Sequence, residues 1–554
     1  MDRQRPPQRS CRVLCIQGTG KGKSILYQTL AAHFGKVTVY ISPLLTLGAD
    51  QVNKLMGLTR VIGYTIIPIQ LDSVKTKEEI AALSTLINGI QDGISVVIYT
   101  SPQTLTDRFP KFVESICQHI SFVVVDELHM FNDYGRSFRV EFQRLRSRLF
   151  RQVSARTPML FLTASCNARI RSSFEKMIGL KMTHVHWPYA SEIANRRVSL
   201  HSSYSQKPWS KVSKLIVELL KTDSALPNKV IVYSNVRHRV QNIEEKLGNL
   251  FDGDDLLHQF EALAVHGTLT KEEKSAYIQM FLDPKHRDDL KIKVLCATSG
   301  VGNVGLDSRE IRSVYRLEFP PSVIDFVQEC GRAGRVNPPD PLNFSYHVNY
   351  SLESFLYLYE RVMDPEQVHI DPDYCKDEVE NLFEVARMLV LQQECYYVAI
   401  ENHLGNPNGG VVNRAVRPCN NFCPVCRDDV KDRRVTPIVN RDGLTSVLFN
   451  IFNPQPSNSN VSKDRKNWTL SNLVSEVRDF PDASLLITRS SAKDGLSPDS
   501  IKRILFCLLV KGIMKLNYHS GEKAAVFSLA HSRREHGTFA LRDDDYWVGI
   551  ELKN

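Results

Sequence analysis

Short apolar runs alternate with amphipathic stretches along residues 1–195, and the same alternation returns in residues 200–345. Apolar runs of this length, separated by longer helical stretches, indicate parallel strands covered by helices on both faces. The predicted strands are 13–16, 37–41, 96–99, 122–125 and 159–162 in the first region, and 230–233, 262–265, 294–297 and 314–317 in the second. The sequence therefore predicts two α/β domains in tandem.

Composition excludes several classes of protein. The 554 residues are 42% hydrophobic and 24% charged, which is typical of a globular chain of several domains. No apolar run approaches the roughly 18–20 residues of a membrane span, and the N-terminus lacks the apolar core of a signal peptide. With no export signal, the twelve cysteines are expected to be reduced. The net charge of +9 permits a polyanionic partner.

A glycine-rich segment, Gln17-Gly-Thr-Gly-Lys-Gly-Lys-Ser24, lies between the first predicted strand and a predicted helix at 25–32. Backbone N–H groups of such a loop, together with the helix N-terminus, bind phosphate. Lys23 is predicted to reach the β- and γ-phosphates, and Ser24 to hold Mg²⁺. Gln17 stands where the strict motif has glycine, and the alternative is a simple turn. The predicted nucleotide-binding residues are Gly18, Thr19, Gly20, Lys21, Gly22, Lys23 and Ser24.

Two carboxylates follow the predicted strand at 122–125. Asp126 is predicted to hold Mg²⁺ through water, and Glu127 to orient and deprotonate the attacking water. Alone, an Asp-Glu pair is usually a solvated turn, but the phosphate loop upstream favours the catalytic interpretation.

Four cysteines have the spacing of a metal site. Cys395, Cys419, Cys423 and Cys426 form the pattern C-x23-C-x3-C-x2-C. Four thiolates at short spacings bind Zn²⁺ tetrahedrally. The alternative is a set of unrelated free thiols. Cys375 is a reserve ligand that we expect to lie in the core.

These motifs together resemble the RecQ family of superfamily 2 helicases. Asp126-Glu-Leu-His129 is a variant of the DEAH box, and the aromatic-rich stretch that follows it is similar to a RecQ loop, with Tyr134 where that family usually has Trp. The resemblance extends in order over about residues 13–430. Its further segments are 41–52 (motif Ia), 99–103 (Ib), 163–165 (III), 231–237 (IV), 297–307 (V) and 328–335 (VI).

The resemblance implies that ATP binds between two RecA-like lobes. Arg332 and Arg335 would act as arginine fingers, with Gln328 in the same motif and Asp307 among the nucleotide-binding residues. Tyr134, Phe138 and Arg139 would couple nucleic acid to the ATP site through base stacking and phosphate pairing. The implied function is ATP-dependent 3′-to-5′ unwinding of DNA, with ATP, Mg²⁺ and Zn²⁺ as cofactors and with single-stranded and duplex DNA as partners. Nuclear residence is also an expectation from the family, without a targeting signal.

The chain departs from the family in two places. RecQ helicases carry an adenine-reading motif well upstream of the phosphate loop, whereas only twelve residues precede Val13 here. The chain is therefore expected to lack most of that motif, which puts adenine selectivity and robust ATPase activity in question. The cysteine cluster also has one residue more than the usual C-x2-C-x2-C ending.

Four domains are predicted: a RecA-like ATP-binding lobe at 1–195, a second RecA-like lobe at 196–362, a helical zinc module at 363–435, and a linker with a winged-helix-like module at 436–554. In the last of these, Ser497 and Pro498 are typical of a helix start, and a hairpin is expected beyond Gly512. A winged helix can bind DNA or protein, and the sequence does not indicate which protein it would bind.

Two other functions stay open. The first is an RNA helicase, or a translocase that does not unwind. The second is a zinc-containing DNA-binding protein with weak or lost ATPase activity. ATP hydrolysis measured with DNA, with RNA and with neither separates these hypotheses.

Overall fold

The computed structural model describes residues 11–17, 22–42, 52, 55, 65–74, 76–91, 93–128, 141–187, 198–222, 229–282, 291–299, 306, 308, 310–334, 344–370, 372–405, 419, 421–427, 447, 451–452, 468–479, 497–519, 524–529, 534–535 and 538–539.

A seven-stranded parallel sheet forms the first lobe, in the order β3-β4-β2-β5-β6-β1-β7. The central strands are largely apolar because helices cover both faces. The strands are Arg12–Ile16 (β1), Lys36–Ile41 (β2), Thr65–Gln70 (β3), Ile94–Thr100 (β4), Ile120–Val125 (β5), Met159–Thr163 (β6) and His184–His186 (β7).

A six-stranded parallel sheet forms the second lobe, in the order β10-β11-β9-β12-β13-β8. Its strands are Val198–Tyr204 (β8), Lys229–Ser234 (β9), Phe260–Val265 (β10), Lys291–Thr298 (β11), Ile311–Arg316 (β12) and Phe344–Tyr350 (β13). The predicted fold class, two tandem RecA-like parallel-sheet domains, is confirmed.

Helices connect the strands and continue beyond the second sheet. Polar side chains cap several of them: Asn167, Ser322 and Ser351 each accept a hydrogen bond from a backbone N–H of the first turn. The helices are Lys23–Phe34 (α1), Lys77–Asn88 (α2), Phe112–Ile116 (α3), Ala168–Ile178 (α4), Trp209–Thr222 (α5), Arg237–Asp252 (α6), Lys271–Leu282 (α7), Val323–Cys330 (α8), Leu352–Val362 (α9), Pro365–Ile370 (α10), Pro372–Ala386 (α11), Tyr396–Leu404 (α12), Leu470–Asp479 (α13) and Pro498–Val510 (α14).

The C-terminal module has the predicted helix followed by a hairpin. Ser497 caps α14 by accepting from the Ser500 amide, Pro498 occupies its first turn, and Gly512 follows it with a φ of 71°. The hairpin pairs Met514–His519 (β14) with Ala524–Leu529 (β15), and a smaller one pairs Arg534–Glu535 (β16) with Thr538–Phe539 (β17). The Tyr359 hydroxyl on α9 donates to the Leu516 carbonyl at 3.2 Å, which joins the hairpin to the second lobe.

All nine predicted strands are present, but the prediction missed β3, β7, β8 and β13. β3 contains Pro68 and lies at a sheet edge, where a missing N–H is tolerated. β8 and β13 carry Ser, His and Asn among their apolar residues and do not form a continuous apolar run. None of the described helices is both long enough and apolar enough to cross a membrane.

Candidate nucleotide site and cysteine cluster

The described residues at the two ends of the predicted phosphate loop, Gln17 and 22–24, lie at the carboxyl edge of the first sheet, where parallel α/β sheets bind their ligands. The Gln17 amide, just beyond β1, donates to the Thr163 carbonyl at 2.9 Å, and the Leu128 amide donates to the Leu162 carbonyl at 3.0 Å. These bonds join the ends of β1, β5 and β6. The end of β1 that leads into the predicted phosphate loop, the acidic pair and the 163–165 segment are therefore neighbours.

Gly22 begins the helix that carries Lys23 and Ser24. It has a φ of 88°, a left-handed conformation that favours glycine, and a Cβ placed there would have no heavy atom within 4 Å. Lys23 and Ser24 are the first two residues of α1, and both are half-buried. Their position at a helix N-terminus is suited to an anionic ligand. Residues 18–21 of the predicted loop lie outside the described residues.

The acidic pair has an unusual local geometry. Asp126 is only 7% exposed, and its backbone amide donates to the Ile41 carbonyl at 2.9 Å. Its Oδ1 accepts the Glu127 amide at 2.8 Å, and Glu127 has a φ of 52°. Burial and the Glu127 charge raise the pKa of Asp126 to about 6, while the positive charge of Lys23 opposes them. The structure thus brings Lys23, Asp126 and Glu127 together.

These residues fit Mg²⁺ by their chemistry. Mg²⁺ binds oxygen ligands and is usually held by one or two carboxylates together with substrate phosphates. Asp126 supplies a carboxylate, Ser24 a hydroxyl, and the N-terminus of α1 a place for phosphate.

A buried tyrosine cluster lies behind Asp126, and the sequence analysis did not identify it. Tyr40 of β2 donates its hydroxyl hydrogen to Asp126 Oδ2. Its ring centroid lies 4.6 Å from that of Tyr27 on α1 and 5.0 Å from that of Tyr99 on β4. The sequence feature that could have identified it is the single tyrosine within the apolar run of β2, because a buried hydroxyl needs a hydrogen-bond partner.

In the second lobe, a buried arginine organises the strand ends, and it too was missed. Arg316 is fully buried at the end of β12, and its NH1 atom lies 2.6 Å from Glu329 Oε1. It also donates to Ser299 Oγ at 2.5 Å and to Asn235 Oδ1. The segments after β9 and β11 are thereby joined to α8. The sequence feature that could have identified Arg316 is its charge within a strand that is otherwise buried.

Two predicted motif VI residues are described. Gln328 is half-buried on α8, and among the described residues its Nε2 atom is buried without a hydrogen-bond partner. Arg332 is 9% exposed, and its NH1 atom donates to the Leu306 carbonyl at 3.3 Å. The arginine next to α8 therefore contacts the motif V segment of its own lobe. Predicted residues outside the described ones are Asp307, Arg335, Tyr134, Phe138 and Arg139.

The four cysteines predicted as zinc ligands are adjacent. The Sγ atoms of Cys395, Cys419, Cys423 and Cys426 all lie within 4.8 Å of one another. The Cys423 and Cys395 sulfurs are 3.8 Å apart, which matches the roughly 3.8 Å between sulfurs that tetrahedral Zn–S bonds of about 2.3 Å require. The thiols also hydrogen-bond to one another, which lowers the pKa of Cys395 and raises the pKa of Cys419. Cys375 is buried, as expected, outside this cluster.

The cysteine module packs on β8, an edge strand of the second sheet. The Leu200 amide donates to the Phe422 carbonyl at 2.6 Å, and the Tyr397 hydroxyl donates to the Val198 carbonyl at 2.7 Å. Arg427 reaches the same strand, donating to the Leu200 carbonyl at 2.9 Å. The module therefore satisfies backbone groups that an edge strand otherwise leaves open.

Comparisons with known proteins agree with the motifs. The chain matches the DEAD/DEAH box helicase family over residues 7–172 and the helicase conserved C-terminal domain over 210–337. It is 25% identical over 440 residues to the ATP-dependent DNA helicase RecQ of Pasteurella multocida, which is 79% of this chain and 61% of that protein. The chain belongs to the RecQ family of superfamily 2 helicases. The resemblance inferred from the motifs is thus confirmed.

Other relatives of this RecQ-family chain come from bacteria and eukaryotes. The ATP-dependent DNA helicase RecQ of Bacillus subtilis is 27% identical over 58% of this chain and 48% of its own length. The RecQ-like DNA helicase BLM of Xenopus laevis is 29% identical over 60% of this chain and 23% of its own. The chain therefore spans less than two thirds of the length of these three relatives. Among solved structures, Mycobacterium smegmatis helicase Lhr bound to ssDNA and AMP-PNP covers 68% of the chain at 19% identity and a TM-score of 0.46.

Proposed function

We propose that this RecQ-family chain is an ATP-dependent DNA helicase that hydrolyses ATP to move along single-stranded DNA and to unwind duplex DNA in the 3′-to-5′ direction. The observation that carries the proposal is the placement of Lys23 at the start of α1 beside the buried Asp126, with Glu127 next to it. Its relatives are named as DNA helicases, which supports DNA as the partner.

Each residue has a proposed role. Lys23 and the N-terminus of α1 bind the phosphates, and Glu127 takes a proton from the attacking water. Asp126 and Ser24 hold Mg²⁺, which when bound neutralises phosphate charge. Gln328, Arg332 and Arg335 act from the second lobe, with the arginines stabilising charge on the transferred phosphoryl group, and Asp307 contributes to nucleotide binding. Tyr134, Phe138 and Arg139 couple DNA to this site.

We further propose that Cys395, Cys419, Cys423 and Cys426 bind one structural Zn²⁺. The sulfur separations and the burial of three of the four cysteines support this site. We also propose domain boundaries at 195, 362 and 435, and residence in the nucleus.

ATP hydrolysis tests the function most directly. The rate is measured with single-stranded DNA, with RNA of the same sequence and with no nucleic acid. Lys23→Ala is the control variant. It should abolish all ATP turnover without changing the melting temperature. Stimulation by DNA supports the proposal, and stimulation by RNA alone supports an RNA helicase. No hydrolysis under any condition would leave a DNA-binding protein with a lost ATPase. Duplexes with a 3′ or a 5′ single-stranded tail then test polarity.

A further inference from the structure

Two groups of its own chain hold the Asp126 carboxylate, and a third contact fixes the Asp126 backbone. Its Oδ1 accepts the Glu127 amide at 2.8 Å, its backbone amide donates to the Ile41 carbonyl at 2.9 Å, and its Oδ2 accepts the Tyr40 hydroxyl. Of these, the Tyr40 contact is the one made by a side chain. A carboxylate offers about four lone-pair positions, so both oxygens retain capacity for a metal or its water.

The Tyr40 ring has little freedom to move. It is 1% exposed, and its centroid lies 4.6 Å from Tyr27 and 5.0 Å from Tyr99. Tyr27 belongs to the helix that begins at Lys23, and Tyr99 is paired with Tyr40 on the neighbouring strand β4. The tilted ring contacts hold the phenol in one orientation, so its hydroxyl is directed at a fixed point.

The hydroxyl, not the ring, makes the contact with the acidic site. A phenylalanine at this position would retain the packing on Tyr27 and Tyr99 but could not donate to Asp126.

We propose that Tyr40 is a positioning residue that fixes the orientation of the Asp126 carboxylate for Mg²⁺ binding. Residues that hydrogen-bond to a metal ligand set its direction, and their loss typically weakens metal affinity 10- to 100-fold. This inference rests on the proposed nucleotide-binding function and adds to it a residue that none of the helicase motifs contains.

The test compares Tyr40→Phe with the wild-type chain by Mg²⁺ titration of the binding of a fluorescent ATP analogue. The Mg²⁺ concentration at half-maximal enhancement is expected to rise about 10-fold, while binding of the analogue in EDTA is unchanged. Tyr99→Phe is the matched control. It removes a hydroxyl from the same cluster, 3.2 Å from the Tyr27 hydroxyl, and should leave the Mg²⁺ midpoint at the wild-type value.

Three results would overturn the proposal. The first is a Tyr40→Phe midpoint equal to that of the wild type, whether or not thermal melting changes. The second is an equal shift in Tyr99→Phe, which would assign the effect to packing of the cluster. The third is wild-type nucleotide binding that does not respond to Mg²⁺, and this result alone would also remove the proposed function.

Discussion

At the scale of single residues, the backbone of Glu127 has a conformation that marks the acidic pair as unusual. A φ of 52° is uncommon for a residue with a side chain, and such conformations cost about 1–3 kcal/mol. Here the Asp126 carboxylate accepts the Glu127 amide, and the following amide, of Leu128, donates to Leu162. The fold therefore maintains a strained conformation at the residue that we propose as the base.

We predict that Glu127→Gln binds ATP with near wild-type affinity but hydrolyses it at least about 100-fold more slowly, because general-base catalysis contributes about 10²–10⁴. Glutamine retains the shape and removes the proton acceptor. Binding of a fluorescent ATP analogue and single-turnover hydrolysis measure the two effects separately. Turnover equal to that of the wild type would remove Glu127 from the mechanism.

Sequence reasoning predicted residues whose partners lie close in the chain. Lys23 and Ser24 follow a glycine-rich loop, and Asp126 precedes Glu127, so local spacing was sufficient. Tyr40 acts on a residue 86 positions away, and no local pattern encodes such a pairing. The same limit applies to Arg316, whose partners follow β9 and β11 and lie on α8.

At the scale of elements, the dependence of β8 on the cysteine module explains why that strand was missed. Its sequence, VSLHSSY, is too polar to predict a buried strand, yet Phe422 pairs with its backbone at Leu200. A strand of this composition is stabilised by the edge partner that covers it. Because β13 pairs with the other edge of β8, metal binding at the four cysteines should control the protection of the outer-edge Leu200 amide.

We predict one Zn²⁺ per chain, bound by the four clustered cysteines, and its loss in Cys423→Ser. Removal of the metal should abolish hydrogen-exchange protection of the Leu200 amide while amides of β9 stay protected. Metal analysis and exchange measured by mass spectrometry check both statements. Cys375→Ser, at a buried cysteine outside the cluster, should keep its zinc. A zinc-free wild-type preparation, purified without chelator, would refute the site.

A second element-scale prediction concerns the ring stack on β12, β13 and β8. His347 stacks on His201 at 4.3 Å and on Tyr315 at 4.8 Å, and burial lowers its pKa to about 3. The unfolded chain, with a histidine pKa of about 6.5, binds the proton first, so acid destabilises the fold as the pH falls below about 6.5. Between pH 7 and pH 5 this amounts to about 2 kcal/mol.

Calorimetric melting of the wild type and of His347→Phe at both pH values measures this effect. Phenylalanine can still stack but cannot titrate, so the fall in melting temperature between pH 7 and pH 5 should be smaller in the variant. An equal fall in the two proteins would assign the acid sensitivity to other groups.

At the scale of the whole molecule, α4 of the first lobe contacts the helical module directly. Arg169 lies 3.9 Å from Glu384 Oε2 on α11 and also donates to Asn381. The same Glu384 oxygen lies 2.5 Å from Nδ1 of His403 on α12, the helix that begins next to Cys395. Burial alone would raise the pKa of Glu384, but the close contact with His403 and the positive charges of Arg169 and Arg387 lower it, so the carboxylate is ionised. The contact joins α4 of the first lobe to α11 and α12 of the helical module.

We predict that Arg169→Ala loosens the attachment of the first lobe to the helical module. A pair that is 30% and 28% exposed contributes about 1 kcal/mol, which changes a two-state population about fivefold. Small-angle X-ray scattering should show a larger radius of gyration, and DNA-stimulated ATP hydrolysis should change relative to the basal rate. Arg171→Ala is the matched control, because Arg171 lies on the same helix but pairs with Glu175 within it at 2.9 Å. Since the Arg171 pair joins no two parts of the molecule, its loss should leave both quantities unchanged. Equal scattering curves for the two variants would show that the Arg169 contact does not hold the lobe in place.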